Sequence, residues 1–249
     1  MNKLLTLLRM VWRRDPLLRF FLLQRVGAWL VPDYRFNWPQ LAWWNDKWFN
    51  AYLERFNELA SNNADRHWML AQLMRLVDEV PGDTAECGVF KGASSYLICE
   101  ANRRAREKKV HHAFDSFAGL SEPSEIDGSF WATGDLACSL DVVRTNLAEF
   151  GEDEFRLHQG WIPDRFADVD DHHFSFVHID VDLYEPTRDS LAFFYSRMQA
   201  GGIILCDDYG FTTCPGATAA FDEYLQDKPE SMIMLPCGGG FLIKKESQV

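Results

Sequence analysis

The spacing of apolar and polar positions changes character once along the chain. Residues 1–80 carry helical periodicity with no strand pattern, seen best in residues 48–59 (WFNAYLERFNEL) and 67–80. Pro81-Gly82-Asp83 ends that stretch. Beyond it, short strand-like runs alternate with helical ones. Strands are predicted at 84–88, 111–115, 155–158, 174–180 and 202–207. Helices are predicted at 94–108, 140–150, 184–198 and 217–225. Residues 120–134 read as loop. Residues 232–235 and 241–244 flank a turn at 236–240 and read as a closing hairpin. Strands alternating with helices predict an α/β fold with a parallel sheet covered on both faces, and the hairpin adds one antiparallel strand. The chain thus reads as a helical extension or cap (1–80) on an α/β domain (81–249).

Composition narrows the function classes. At 249 residues, 47% of them hydrophobic, the chain can bury a core without disulfide staples. The net charge of −12 disfavours a phosphate backbone as partner, so no nucleic acid is expected. None of the six cysteines forms a C-x-x-C pair. Zinc ligation through thiols is therefore unsupported, and a reducing, cytoplasmic setting is expected. The charge is uneven: residues 1–30 hold Lys3, Arg9, Arg13, Arg14, Arg19 and Arg25 against Asp15 alone. No run there reaches the ~18 apolar residues of a membrane span, and no leader cleavage site follows. Two readings stay open for this segment. It is a helix packed on the domain or on a second copy of the chain, or it lies on an anionic membrane at the inner face.

In a parallel α/β sheet, ligands sit beyond the carboxyl ends of the strands. The first strand ends in Glu86-Cys87-Gly88-Val89-Phe90-Lys91-Gly92-Ala93-Ser94, two glycines and a serine before a helix N-terminus that favours a negative group. The second strand ends in Asp115, placed to accept ribose hydroxyls. Asp180 and Asp182 end the fourth strand and Asp207 and Asp208 the fifth. Four carboxylates on one rim call for a counter-charge, and oxygen donors suit Mg²⁺ or another hard divalent cation. His178 reads as a satisfied core histidine, and His111, His112, His172 and His173 as solvated. Phe130 and Trp131, in the 120–134 loop, are candidates either to stack on a sugar or to pack as a lid.

At these residues the chain resembles the macrocin O-methyltransferase family, enzymes that use S-adenosyl-L-methionine to methylate sugar hydroxyls. The resemblance is carried by AECGVFKGASS (85–95), FDSFAGL (114–120), QGWIPDRF (159–166), VHIDVDLYEP (177–186), AGGIILCDDYG (200–210) and PGATAAFDEYL (215–225). It implies the class I methyltransferase (Rossmann-like) fold, a seven-stranded sheet whose last strand is antiparallel. It also implies roles for individual residues. Glu86, Gly88, Gly92 and Ser94 match the turn holding the methionine part of the cofactor, and Asp115 the ribose acid. Gly160 and Trp161 match the adenine side, and Ser139 a further cofactor contact. Asp180, Asp207 and Asp208 match the metal ligands and Asp182 the general base. The implied acceptor is a small molecule or a glycan. The rival readings are a metal-dependent glycosyltransferase using Asp180-Val181-Asp182 as a D-x-D, a nicotinamide-dependent dehydrogenase, and a non-catalytic scaffold.

Overall fold

The computed structural model describes residues 16–32, 35 and 41–246. Half of the basic apolar start, residues 1–15 with Lys3, Arg9, Arg13 and Arg14, lies outside the described residues. The chain divides into two units, one up to Arg55 and the other from Phe56 onward. In the first unit, α1 (Pro16–Leu30) leaves Phe21, Leu22, Leu23, Val26, Trp29 and Leu30 exposed. In α2 (Lys47–Phe56), Phe49 meets the edge of Trp43 at 5.8 Å.

The second unit opens with α3 (Ala64–Met74), continued by a 3-10 turn at Arg75–Val77. Then follow β1 (Asp83–Cys87), α4 (Ala93–Asn102), β2 (His111–Asp115), α5 (Leu140–Asn146), β3 (Phe155–Gln159), β4 (Phe174–Ile179), α6 (Tyr184–Tyr195), β5 (Met198–Cys206), α7 (Pro215–Tyr224), β6 (Ile233–Met234) and β7 (Gly240–Ile243). The sheet order is β3-β2-β1-β4-β5-β7-β6. Strands β1 to β5 run parallel, and β7 pairs antiparallel with both β5 and β6. This is the class I methyltransferase arrangement expected from the sequence. The order reverses between β1 and β4, so a ligand crevice belongs at their carboxyl ends.

All six residues of β4 are buried, Ser175 and His178 included, since helices cover both faces of the sheet. On one face Phe114, Phe166, Phe174 and Phe194 pack edge to face with centroids 5.0–6.0 Å apart.

Three local expectations are corrected. β5 begins at Met198, which had read as the end of a helix. Met198 pairs with Phe174, and the register then slips before Phe176 meets Ile203, with Gly201 (φ +82°) absorbing the bulge. Helix α4 stops at Asn102 rather than at 108. Asn102 is buried and its Nδ2 donates to Thr84 Oγ1 at 2.8 Å, while the charged run after it offers no further apolar face. His111 and His112, expected in solvent, are buried at 0% and 1% exposure. The charged run 103–108 before them is largely exposed, but the chain turns inward at Lys109, which is buried and donates to Ser175 Oγ at 2.8 Å.

Candidate active site

Register builds the site. Cys87, Ile179 and Cys206 lie level across β1, β4 and β5. The residues that follow them, Gly88, Asp180 and Asp207, therefore emerge at one height. The Asp180 N–H donates to Cys87 O at 2.8 Å and the Asp207 N–H to Ile179 O at 2.9 Å, extending the ladder to the rim. Gly88 is required here. It holds φ +85°, and a Cβ on it would stand 1.8 Å from Asp180 O.

A cleft of about 710 Å³ opens over this rim, within the size range of small-molecule sites. Its walls include Gly88, Asp115, Trp131, Gly160, Trp161, Asp180, Asp182 and Asp208. A smaller recess beside it is lined by Ser94, Asp180 and Asp207, and Arg66 borders both.

Asp115 is held by backbone donors. Its Oδ2 accepts from the N–H groups of Val89 (2.7 Å) and Phe90 (3.1 Å), and its Oδ1 from that of Phe117 (2.6 Å). The ribose-acid candidate thus also fixes the shape of the turn after β1. Gly160 follows β3 directly, and its N–H donates to Asp115 O at 2.9 Å, setting Trp161 at the cleft.

Glu86 is buried below the rim and lines neither opening. It accepts from Ser95 Oγ and from His178 Nδ1 (2.9 Å). Burial would raise its pKa, but His111, 3.8 Å away, and the bond from His178 outweigh this and hold it at about 2. Ser139 is exposed and caps α5, accepting from the Asp141 N–H at 3.3 Å, away from the cleft wall. Gly92 (φ +83°) caps α4.

The four aspartates sort into two pairs. Asp180 groups with Asp207 and His178, and Asp182 with Asp208 and Cys214. Burial lifts Asp180 well above the ordinary carboxylate range, and the Asp207 charge adds to this. Burial followed by Asp182 and Asp180 does the same to Asp208. Asp207 goes the other way: burial opposes its charge, but His178 and Arg66 hold it at about 2. Burial lowers His178, yet Asp207 and Glu86 more than compensate and raise it to about 10. Its Nε2 stands 3.7 Å from Asp207 Oδ1, an ion pair without a hydrogen bond. Two carboxyls pushed toward protonation beside an ionised third mark a rim short of positive charge. Asp180, Asp207 and Asp208 offer the oxygen donors that a hard divalent cation takes, but their carboxylates fall in the two groups rather than in one cluster of three.

Asp182 sits at φ +60°, a strained conformation for a residue with a side chain. Its N–H donates to Asp208 Oδ2 at 2.8 Å, and Cys214 Sγ donates to its Oδ1 at 3.5 Å. Burial lifts it to about 6. Trp131 donates from Nε1 to Cys214 Sγ at 3.3 Å, which ties the 120–134 loop to Asp182.

Sequence reasoning missed Arg66 and Cys214. Arg66 pairs with Asp207 and lies 5.1 Å from the Phe211 ring centroid. Its partner is 141 positions away, so the helical pattern around it gave no sign of the contact. Cys214 precedes Pro215 at the start of α7. That helix-start signal was visible, but the thiol's neighbours were not.

The family described as macrocin-O-methyltransferase (TylF) matches this sequence over residues 66–235. Among curated proteins, the sequence is 33% identical over 153 residues to 8-demethyl-8-(2,3-dimethoxy-alpha-L-rhamnosyl)-tetracenomycin-C 4'-O-methyltransferase of Streptomyces olivaceus, covering 57% of this chain and 58% of that one. It is 32% identical over 162 residues to demethyldecarbamoylnovobiocin O-methyltransferase of Streptomyces niveus, covering 59% of each. The chain thus spans somewhat under two thirds of these relatives. Among solved structures, the O-methyltransferase NovP superposes with a TM-score of 0.64 at 27% identity, over 74% of this chain and 81% of that one. The calicheamicin methyltransferase CalS11 gives 0.66 at 19% identity, over 93% and 94%, a likeness of fold.

Proposed function

Because the chain belongs to the macrocin-O-methyltransferase family, we propose that it moves the methyl group of S-adenosyl-L-methionine to a sugar hydroxyl of a glycan or glycosylated natural product, with help from a divalent cation. The observation that carries this reading is the single cleft joining Gly88, Asp115, Gly160 and Trp161 to Asp180, Asp182 and Asp208. The first four suit the cofactor, and Ser94 and Gly92 shape the helix start beside it. Asp180, Asp207 and Asp208 are the proposed ligands of Mg²⁺, which when bound supplies charge stabilisation to a hydroxyl that is otherwise a poor nucleophile. Asp182 accepts the hydroxyl proton at a carboxylate oxygen. Glu86 acts from below, holding His178 charged against Asp207. Trp131, anchored through Cys214, flanks the acceptor space and excludes water from it. Positioning is the protein's main task, since the sulfonium methyl is already activated.

The rival classes separate in one experiment. S-adenosylhomocysteine is expected to raise the melting temperature, whereas a UDP-sugar or NAD is not. A shift with either of the latter and none with S-adenosylhomocysteine overturns the reading.

For the segment before residue 31, we propose contact with an anionic membrane surface. Among the described residues no helix is long and apolar enough to cross a membrane. Exposed Phe21, Leu22, Leu23 and Trp29 beside Arg19 and Arg25 suit a surface-lying helix instead. The full chain is expected to sediment with anionic vesicles at low salt and to be released at high salt. Equal sedimentation of a chain lacking residues 1–30 would contradict this.

A further inference from the structure

Away from the cleft, a run of histidines and aspartates crosses the face of the sheet that carries Phe114 and Phe174. Asp168 pairs with Arg165 and faces His158 Nδ1 at 2.9 Å. His158 Nε2 lies 3.1 Å from His112 Nδ1. His112 Nε2 lies 3.4 Å from Asp83 Oδ2, and His172 Nδ1 lies 2.8 Å from the same oxygen.

Two neutral imidazoles carry two protons for the three contacts that run from Asp168 through His158 and His112 to Asp83, so one contact lacks a donor. A carboxylate paired with arginine only accepts, so His158 carries its proton on Nδ1. Neutral His158 then offers a lone pair at Nε2, which His112 meets from Nδ1 in the tautomer that turns its other lone pair toward Asp83. Neutral His112 is left with a bare lone pair at Nε2, and that lone pair points at a carboxylate oxygen. Two acceptors facing each other beside a ring that is 1% exposed need a cation between them. A proton would create an imidazolium stacked on the His158 ring, with centroids 5.3 Å apart. A metal ion meets the same need without adding a proton.

We propose that Asp83, His112 and His172 form a second metal site, for zinc or a similar transition ion that prefers imidazole and carboxylate donors. The three ligand atoms lie within 4.8 Å of one another. Ligands of a tetrahedral zinc stand ~3.3 Å apart, so modest side-chain adjustment closes the site. Asp83 and His172 are 20% and 29% exposed in their side chains, which leaves an opening for a water as fourth ligand. His158 and Asp168 form the outer hydrogen-bonded shell that fixes the tautomer of a ligating histidine. The donor set differs from the all-oxygen rim at the cleft, so the two sites select different ions. The ion would join the start of β1 and β2 to the turn before β4, a stabilising role separate from methyl transfer.

The test uses the full chain, stripped with a chelator, saturated with Mg²⁺ and dialysed against Zn²⁺. Wild type is expected to retain one more equivalent of zinc than His172→Ala, by elemental analysis. Zinc should raise the melting temperature of wild type but not of the variant. His158→Gln should bind zinc about 10–100-fold more weakly. The S-adenosylhomocysteine melting shift serves as the control that each variant is folded. Equal zinc content in wild type and a folded His172→Ala, or none in either, overturns the proposal.

Discussion

Asp182→Asn is expected to lower kcat by about 10²–10⁴-fold, the range for loss of a general acid or base. The side chain is buried to 6% exposure, and its backbone is pinned in a left-handed conformation by the N–H bond to Asp208. Asparagine tolerates that conformation and nearly matches the shape, so the substitution removes proton acceptance with little change to the fold. Metal affinity should stay near the wild-type value if, as proposed, Asp180, Asp207 and Asp208 are the ligands. Calorimetric titration of Mg²⁺ beside the kinetic measurement separates the roles. A collapse of metal affinity along with kcat would make Asp182 a ligand and leave proton removal to another group.

Glu86→Ala is expected to cost about 3–5 kcal/mol of stability, measured by urea denaturation, because it removes the hydrogen-bonded partner of the buried His178 charge. Glu86 and His178 are both almost completely buried, and the bond between them is 2.9 Å. The sign of the pH dependence follows from the lowered pKa. Glu86 is ionised in the folded chain down to about pH 2 but only to about 4.5 when unfolded. Its contribution is therefore complete above about pH 4.5 and fades as the pH falls toward 2. Glu86→Gln should flatten that part of the acid limb. An unchanged acid limb in Glu86→Gln would show that the pair does not act this way.

Much of the fold was legible because burial and period agree. β4 is read from its Phe, Val and Ile positions despite Ser175 and His178, and the acids that follow it and β5 stand out against mostly apolar runs. Register, which sequence alone does not give, then explains why Asp180 and Asp207 meet. What sequence hid depends on contacts between distant residues. His111 follows a run rich in lysine and arginine and looks solvated, but Thr84 Oγ1 and Ser95 Oγ bind its ring at 3.0 and 3.3 Å inside the fold. Glu86 ends a strand like a ligand-binding acid, yet its partners Ser95 and His178 turn it inward. Ser139, which the resemblance offers as a cofactor contact, also caps α5, and the sequence alone does not show that cap bond. Arg66 belongs to an amphipathic helix whose pattern says nothing about Asp207.

The central claim is that the acidic rim readies a sugar hydroxyl for methylation. Its most direct measurement is transfer of labelled methyl from S-adenosyl-L-methionine to a panel of sugar nucleotides, lipid-linked glycans and glycosylated natural products, read by mass spectrometry. The chain is first stripped of metal, then assayed with added Mg²⁺ or with excess EDTA. The account predicts a methyl group on a sugar oxygen of at least one acceptor when Mg²⁺ is present, and none in EDTA. Undiminished transfer in excess EDTA, or a methyl group found on an atom other than a hydroxyl oxygen, would contradict it.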